Sequence, residues 1–196
     1  MLTFGSATRN IEPILSVLKQ EIPIDKKGYA LEVASGSGQH IIRFADTFKD
    51  ITWTPSDINP EHLESIQAYI DSNDLSNLNS PKSIDCSTDF KEWGFDDESL
   101  DVIMSTNLIH ISPIEVCQGL INASGSLLKK GGFLIFYGPF AKDGQLYPQS
   151  NVDFDASLKS RDSRWGIRDI NYVSSLAEKV NLSLYQHHDM PANNNM

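Results

Sequence analysis

The chain has 196 residues, 40% of them hydrophobic and 21% charged, which suits one globular domain with a sizeable core and argues against wholesale disorder. Its 26 acidic and 16 basic side chains leave a net charge of -10, and with no Lys/Arg cluster such a surface repels phosphate backbones, so no nucleic-acid partner is expected. No apolar run approaches the roughly 20 residues of a membrane span and no charged-then-apolar leader opens the chain, so no membrane is expected and the default compartment is the cytoplasm. Cys86 and Cys117 lie outside any C-x-x-C or Cys/His ligand spacing, which points to two buried apolar residues rather than a disulfide or zinc site.

In chain order, Asn10 reads as a helix N-cap, with Pro13 tolerated in the first turn and Ile11, Ile14, Leu15 and Leu18 at helical spacing. "GYALEVA" is a nearly continuous apolar run and reads as a strand buried on both faces. A helix follows over "GQHIIRFADTF", with Ile41, Phe44, Ala45 and Phe48 inward. "ITWTPSD" is a second strand, after which Asn59 and Pro60 supply a cap and a first helical residue. "KSIDC" is a short third strand and "LDVIMST" a fourth. Residues 113–130 read as a helix closed by Gly131 and Gly132, and "FLIFYGPF" as a fifth strand. Residues 141–168 break this rhythm: they are polar, rich in Asp, Ser and Arg, and read as an irregular lid over a binding site. Asp169 then caps a helix containing Val173, Leu176, Ala177 and Val180, "LSLYQHHDM" reads as a last strand, and "PANNNM" as a terminus. Strands alternating with helices imply an α/β, doubly wound, mostly parallel sheet, and residues 1–196 read as a single domain.

In such a sheet, ligands bind beyond the carboxyl ends of the strands, where "LEVASGSGQH" breaks the first strand from its helix. A dinucleotide fingerprint G-x-G-x-x-G would need its third glycine at Ile41, where a branched side chain obstructs close packing, and this counts against NAD or FAD. Glu32 lies just ahead of the glycines, where a carboxylate repels pyrophosphate and attracts an ammonium. Asp57 ends the second strand, where an acid accepts from ribose hydroxyls, and Asp85 ends the third, in reach of a base amino group. A ligand with an amino acid, a ribose and a base fits this series, as S-adenosylmethionine does.

At this point the chain resembles the class I, Rossmann-like methyltransferases, "LEVASGSGQH" standing for their E/D-x-G-x-G-x-G motif with Ala34 at the first glycine. "RNIEPIL", "WTPSD", "NLIHISP", "YGPF", "NVDFDASLKSRDSRWGIRD" and "MPANN" together resemble the DUF938 (UPF0585, methyltransferase-like 26) family across almost the whole chain. The resemblance implies S-adenosylmethionine binding by Glu32, Ala34, Ser35, Gly36, Gly38, Asp57, Ile58, Asp85, Cys86 and Asn107. It also implies a further strand after "PANN", completing a C-terminal hairpin that this chain lacks; an edge left open in this way favours a homodimer.

Methyl transfer from a sulfonium is an in-line displacement in which positioning does most of the work, and a base is needed only where the acceptor must lose a proton. Asn107, His110 and Tyr137, after the fourth and fifth strands, are the catalytic candidates, with His110 as the favoured base against the commoner role of a structural histidine capping the following segment. Asn10, Arg161, Trp165 and Arg168 are candidate substrate-binding residues, Arg9 stands beside Asn10, and the lid also holds Asp162 and Asp169. "NLIH" lacks the Asn/Asp-Pro-Pro-aromatic motif of amino-methylating nucleic-acid enzymes, which favours a small-molecule acceptor. His187, His188 and Asp189 are adjacent on an expected strand and point to opposite faces, so no metal site is assigned. The expected activity is methyl transfer to a small molecule; the competing reading is a cofactor-binding or assembly protein that keeps the fold without turnover.

Overall fold

A computed structural model describes all residues of the chain apart from the side chain of Asn193. Five parallel strands form its sheet in the order β3-β2-β1-β4-β5, namely β1 (Gly28–Val33), β2 (Ile51–Asp57), β3 (Lys82–Ser83), β4 (Leu100–Thr106) and β5 (Leu128–Tyr137). This is the expected Rossmann-like α/β arrangement. The chain moves outward from β1 to β3 and then returns to pair β4 with β1's other edge, so the topology switches direction between β1 and β4. Loops at their carboxyl ends diverge there and leave a crevice.

The sheet sits between helical layers because its central strands are apolar on both faces. Ala30, Trp53, Val102 and Met104 face α1 (Gly5–Glu21) and α2 (Gln39–Thr47), packing with Ile14, Leu18, Phe44 and Phe48. Leu31, Val33 and Ile103 face the opposite way, onto Leu120, Ala123 and Leu127 of α4 (Ile114–Leu127). α4 in turn packs through Cys117 and Ile121 against Val173 of α6 (Ile170–Glu178). Asn59 caps α3 (Pro60–Asp71), its side chain accepting from Glu61 N at 2.9 Å. Among the described residues no helix is long and apolar enough to cross a membrane.

The structure departs from the sequence reading in five places. Asn10 is not an N-cap: α1 starts at Gly5, and Asn10 lies inside it on the buried face. Strand three is confined to Lys82–Ser83, since only those residues pair with Ser56 and Asp57. α4 ends at Leu127, and Gly131 and Gly132 lie inside β5; a Cβ on Gly132 would stand 2.9 Å from the Asp101 carbonyl, so this glycine serves close strand approach rather than a helix stop. The polar segment 141–168 is not irregular, for it contains β6 (Phe140–Ala141) at its start, α5 (Gln149–Arg161), and β7 (Arg168–Asp169) at its end. α5 escaped notice because two of its three buried residues, Asn151 and Asp155, are polar, leaving Leu158 as the sole apolar member. Residues 182–188 form no strand and expose Leu184 and Tyr185; β8 (Asp189–Met190) pairs with β9 (Asn194–Asn195), His188 and Met196 exchange backbone hydrogen bonds beside them, and Asn195 also bridges Gly138 in antiparallel fashion.

Candidate functional site

The glycine break forms a tight loop between β1 and α2. Ser35 N donates to Ser56 O at 2.8 Å, Gly38 N to Ser35 O at 3.1 Å, and Ser65 Oγ reaches over from α3 to Ser37 O at 2.8 Å. Ala34 occupies left-handed backbone at φ 58°, the conformation the resembled motif gives to glycine. Gly38 has φ 95°, and a Cβ there would come within 3.0 Å of Ile66 Cα, so the chain turns into α2 only with a bare residue.

Glu32 and Asp57 stand at the ends of β1 and β2, Asp85 lies two residues past β3, and the three carboxylates have different hydrogen-bonding surroundings. Glu32 is 1% exposed, and neither carboxylate oxygen has a hydrogen-bond partner among the described residues. Burial pushes its carboxyl up to about 7; the Ser35 hydroxyl works against this and the negative charge of Asp57 adds to it. Asp57, by contrast, accepts from Gly36 N and Asn59 N, both at 2.9 Å, and contacts His62 Nδ1 at 3.1 Å. With about four lone-pair sites on a carboxylate, Asp57 holds the loop and retains acceptor capacity. Asp85 turns back on its own strand end, accepting from Ser87 N at 2.8 Å and Ser87 Oγ at 2.7 Å. Beside these residues Ile58 is left 60% exposed, while Cys86 is buried.

A second cluster lies at the ends of β4 and β5. Asn107 takes a left-handed backbone at φ 57°, its N–H donating to Tyr137 O at 2.8 Å, which turns the chain sharply out of the sheet. His110 is 3% exposed with no partner at Nδ1 among the described residues. A Cβ on Gly138 would lie 3.1 Å from that nitrogen and 3.4 Å from Asn107 Oδ1, so the bare Gly138 brings these two side chains together. Phe154 of α5 meets the His110 ring edge-on at 5.7 Å. Burial, reinforced by the charges of Arg168 and Arg161, lowers the imidazole to about 4, which leaves it neutral near pH 7.

Asn10 and Tyr137, distant in sequence, meet through a buried chain of polar groups. Burial raises the Tyr137 phenol, and hydrogen bonds from the Asn10 and Asn194 side chains hold it down. Asn10 Oδ1 lies 2.7 Å from His40 Nε2, which is the donor in the matching tautomer. His40 is lowered to about 4 by burial and stacks on Phe44 at 5.7 Å. Sequence reasoning passed over His40 because it falls beside the inner face of α2 and reads as core; its one signal was a titratable side chain directly after the glycine loop. Thr106 Oγ1, buried without a partner among the described residues and opposite Tyr137 in the β4–β5 register, was also missed.

The 141–168 residues divide in role. Arg168 Nε donates to Ile109 O at 2.9 Å and its Nη2 to Ser112 O at 2.7 Å, which clamps the loop carrying His110. Asp162 pairs with Arg164 rather than with Arg161, at 2.7 Å. Arg161 lies over the Trp165 ring at 5.6 Å. Arg9 is exposed. Among the described residues no group of three or more His, Cys, Asp or Glu is placed to hold a metal. A groove of about 810 Å³ runs along the outer edge of β5 against α6 and residues 182–188. It is mainly apolar, whereas the strand ends hold buried polar atoms that need a partner, and that need makes them the candidate site.

A family model described as "Protein of unknown function (DUF938)" matches residues 2–196. The chain belongs to the DUF938 family. Solved structures share its fold at low identity. An O-methyltransferase family protein from Burkholderia thailandensis aligns with a TM-score of 0.79 and 14% identity, over 96% of this DUF938 chain and 56% of that one. Human N-acetylserotonin methyltransferase, solved in complex with SAM, aligns at 0.74 with 13% identity, over 95% and 50%. The YcgJ protein of Bacillus subtilis aligns at 0.71 with 15% identity, over 90% and 70%.

Proposed function

We propose that this DUF938 protein is an S-adenosylmethionine-dependent methyltransferase acting on a small-molecule acceptor. Glu32 carries the reading. A fully buried carboxylate with both oxygens unpartnered, set beneath a glycine loop, is costly unless a cation completes it, and the α-ammonium of an amino-acid ligand is such a cation. The donor set therefore fits the cofactor. Glu32 would hold its ammonium, Ala34, Ser35, Gly36 and Gly38 would lie against its methionine portion, and Asp57 would take the ribose with its remaining lone pair. Ile58, Asp85 and Cys86 would flank the base. Similarity to methyltransferases, one of them solved with SAM, supports the same cofactor.

The bound cofactor would supply an electrophilic methyl group. The chain's own residues would then position the nucleophile: Asn107 and His110 from one side, Tyr137 with Asn10 from the other, and Trp165 and Arg161 at the rim. Arg168 would act by fixing the loop beneath His110. With His110 lowered to about 4, it is a weak base and a ready hydrogen-bond acceptor. That favours acceptors whose nucleophile is already deprotonated or readily loses its proton. The net charge of -10 favours a soluble metabolite over a nucleic acid.

Titration calorimetry with S-adenosylhomocysteine and with NAD tests the cofactor. Binding of the first alone supports the reading, and tight binding of NAD alone defeats it. Incubation with methyl-labelled cofactor and a metabolite extract tests turnover; cofactor binding with no labelled product would leave a binding protein of methyltransferase fold.

A further inference from the structure

The segment Met1–Phe4 is pinned onto the elements that surround the proposed cofactor. Leu2 N donates to Ser65 Oγ at 2.6 Å, and Tyr69 OH donates to Leu2 O at 3.1 Å, both partners being on α3. Phe4 N donates to Gln39 Oε1 at 2.6 Å, and Gln39 Nε2 donates to Thr8 Oγ1 at 3.1 Å, which ties the start of α2 to α1. Ser65 also bonds the glycine loop at Ser37 O, so one hydroxyl joins strap, helix and loop.

These pins hold the Phe4 ring over the loop rather than in the core. A Cβ on Gly36 would lie only 3.4 Å from Phe4 Cε2. The ring meets His62 edge-on at 5.7 Å, and His62 Nδ1 is 3.1 Å from Asp57 Oδ1. Phe4 thus spans Gly36 and the Asp57–His62 pair. Yet it stays 38% exposed. Ordering backbone costs conformational entropy, and a ring left this open to water returns little of that cost through burial. A ligand that covers the ring supplies what is missing.

We infer that the segment Met1–Phe4 belongs to the cofactor site, with the Phe4 ring packing against the nucleoside of the S-adenosyl ligand. This rests on the cofactor proposed above. The strap makes the crevice a closed cleft on the α3 side, and Phe4 selects for a ligand with a flat base and sugar.

The test is calorimetric titration of the full chain with S-adenosylhomocysteine and with 5′-methylthioadenosine, which lacks the amino acid. F4A is expected to weaken both roughly tenfold, as loss of an aromatic contact does. F4L, which keeps apolar bulk, should lose less. Because the ring is partly exposed, the melting temperature of ligand-free F4A should match that of the wild type. Amide exchange at Leu2 and Phe4 should slow on saturation with S-adenosylhomocysteine. Unchanged or tighter binding by F4A overturns the inference, as does weaker binding with no slowing at these amides, which would make Phe4 a prop for the loop. A wild type that binds neither ligand overturns the cofactor reading itself, and the inference with it.

Discussion

Glu32 is a charge the fold leaves unsatisfied, and its titration separates stability from function. Its folded value of about 7 lies above the ordinary 4.5, so the native state binds the proton more tightly. The associated stability is fully present below about pH 4.5 and is lost as pH rises through 7, with a loss of about 3 kcal/mol complete above that. Glu32→Gln, neutral throughout, should therefore be more stable than wild type by about that amount at pH 8 and converge with it below pH 4.5. Urea unfolding across this range reads the difference, and parallel curves for the two proteins would refute the assignment. Binding of S-adenosylhomocysteine should move the other way and weaken. Ala34 offers a second test: its φ of 58° costs a side-chain-bearing residue energy that glycine avoids. Ala34→Gly should stabilise by up to about 1 kcal/mol after the greater freedom of unfolded glycine is set against it. A fall in urea midpoint would mean that the alanine methyl makes contacts worth more than the strain.

Whether an element is legible in sequence depends on what it buries. β2 and β4 match the sequence reading residue for residue: both are buried along nearly their whole length, β4 chiefly through Leu100, Val102, Ile103 and Met104, and β2 through Ile51 and Trp53 with the Asn59–Pro60 helix start just beyond it. α5 does not, since it turns Asn151 and Asp155 inward; Asp155 accepts from Ile167 N at 2.8 Å and satisfies a loop rather than a core. The β5 start was misplaced for a related reason, Gly131 and Gly132 reading as a helix stop when both lie inside β5 and Gly132 serves close strand approach. Glu32 and Asp57 were legible because the ends of β1 and β2 were, whereas Asp85, read as the end of the third strand, lies two residues past β3. The His40–Asn10–Tyr137 chain was not, as no local pattern tells that an amide inside α1 meets a phenol at the end of β5. Asn10→Leu should break it and raise the Tyr137 phenol further by removing a donor to the phenolate, which the Tyr Cζ shift followed by NMR against pH would report. At the other end of the 141–168 segment, Asp169 accepts from Asn171 N at 2.8 Å and Gly144 N at 2.6 Å, capping α6 and closing the loop before it. Asp169→Ala should cost about 2 kcal/mol in urea unfolding. A loss below about 0.5 kcal/mol would show that water replaces both bonds.

Across the whole molecule the two ends of the sheet carry different tasks. At the carboxyl ends Glu32, Thr106 and His110 hold buried polar atoms without a partner among the described residues, and Ala34 and Asn107 take left-handed backbone. At the amino ends Asp101 is fully engaged. It accepts from Tyr29 N at 3.0 Å and Lys129 Nζ at 2.7 Å and pairs with Lys26 at 3.1 Å, tying β1, β4 and β5 at one point. Burial alone would raise its carboxyl, but the Lys129, Tyr29 and Lys26 bonds outweigh it and hold the value below the ordinary range. A lowered carboxyl contributes stability above its unfolded value and loses it as pH falls through the folded one, so this clamp weakens only in acid. Asp101→Ala should cost about 2 kcal/mol near pH 7, the two lysines being partly solvated, and the difference from wild type should shrink as pH falls below 4. Affinity for S-adenosylhomocysteine should stay within about twofold, because a rigid sheet lies between clamp and crevice. Calorimetry on the same sample used for unfolding decides it: a parallel loss of affinity and stability would mean that the strand register, rather than the loops at its far end, sets the geometry of the site.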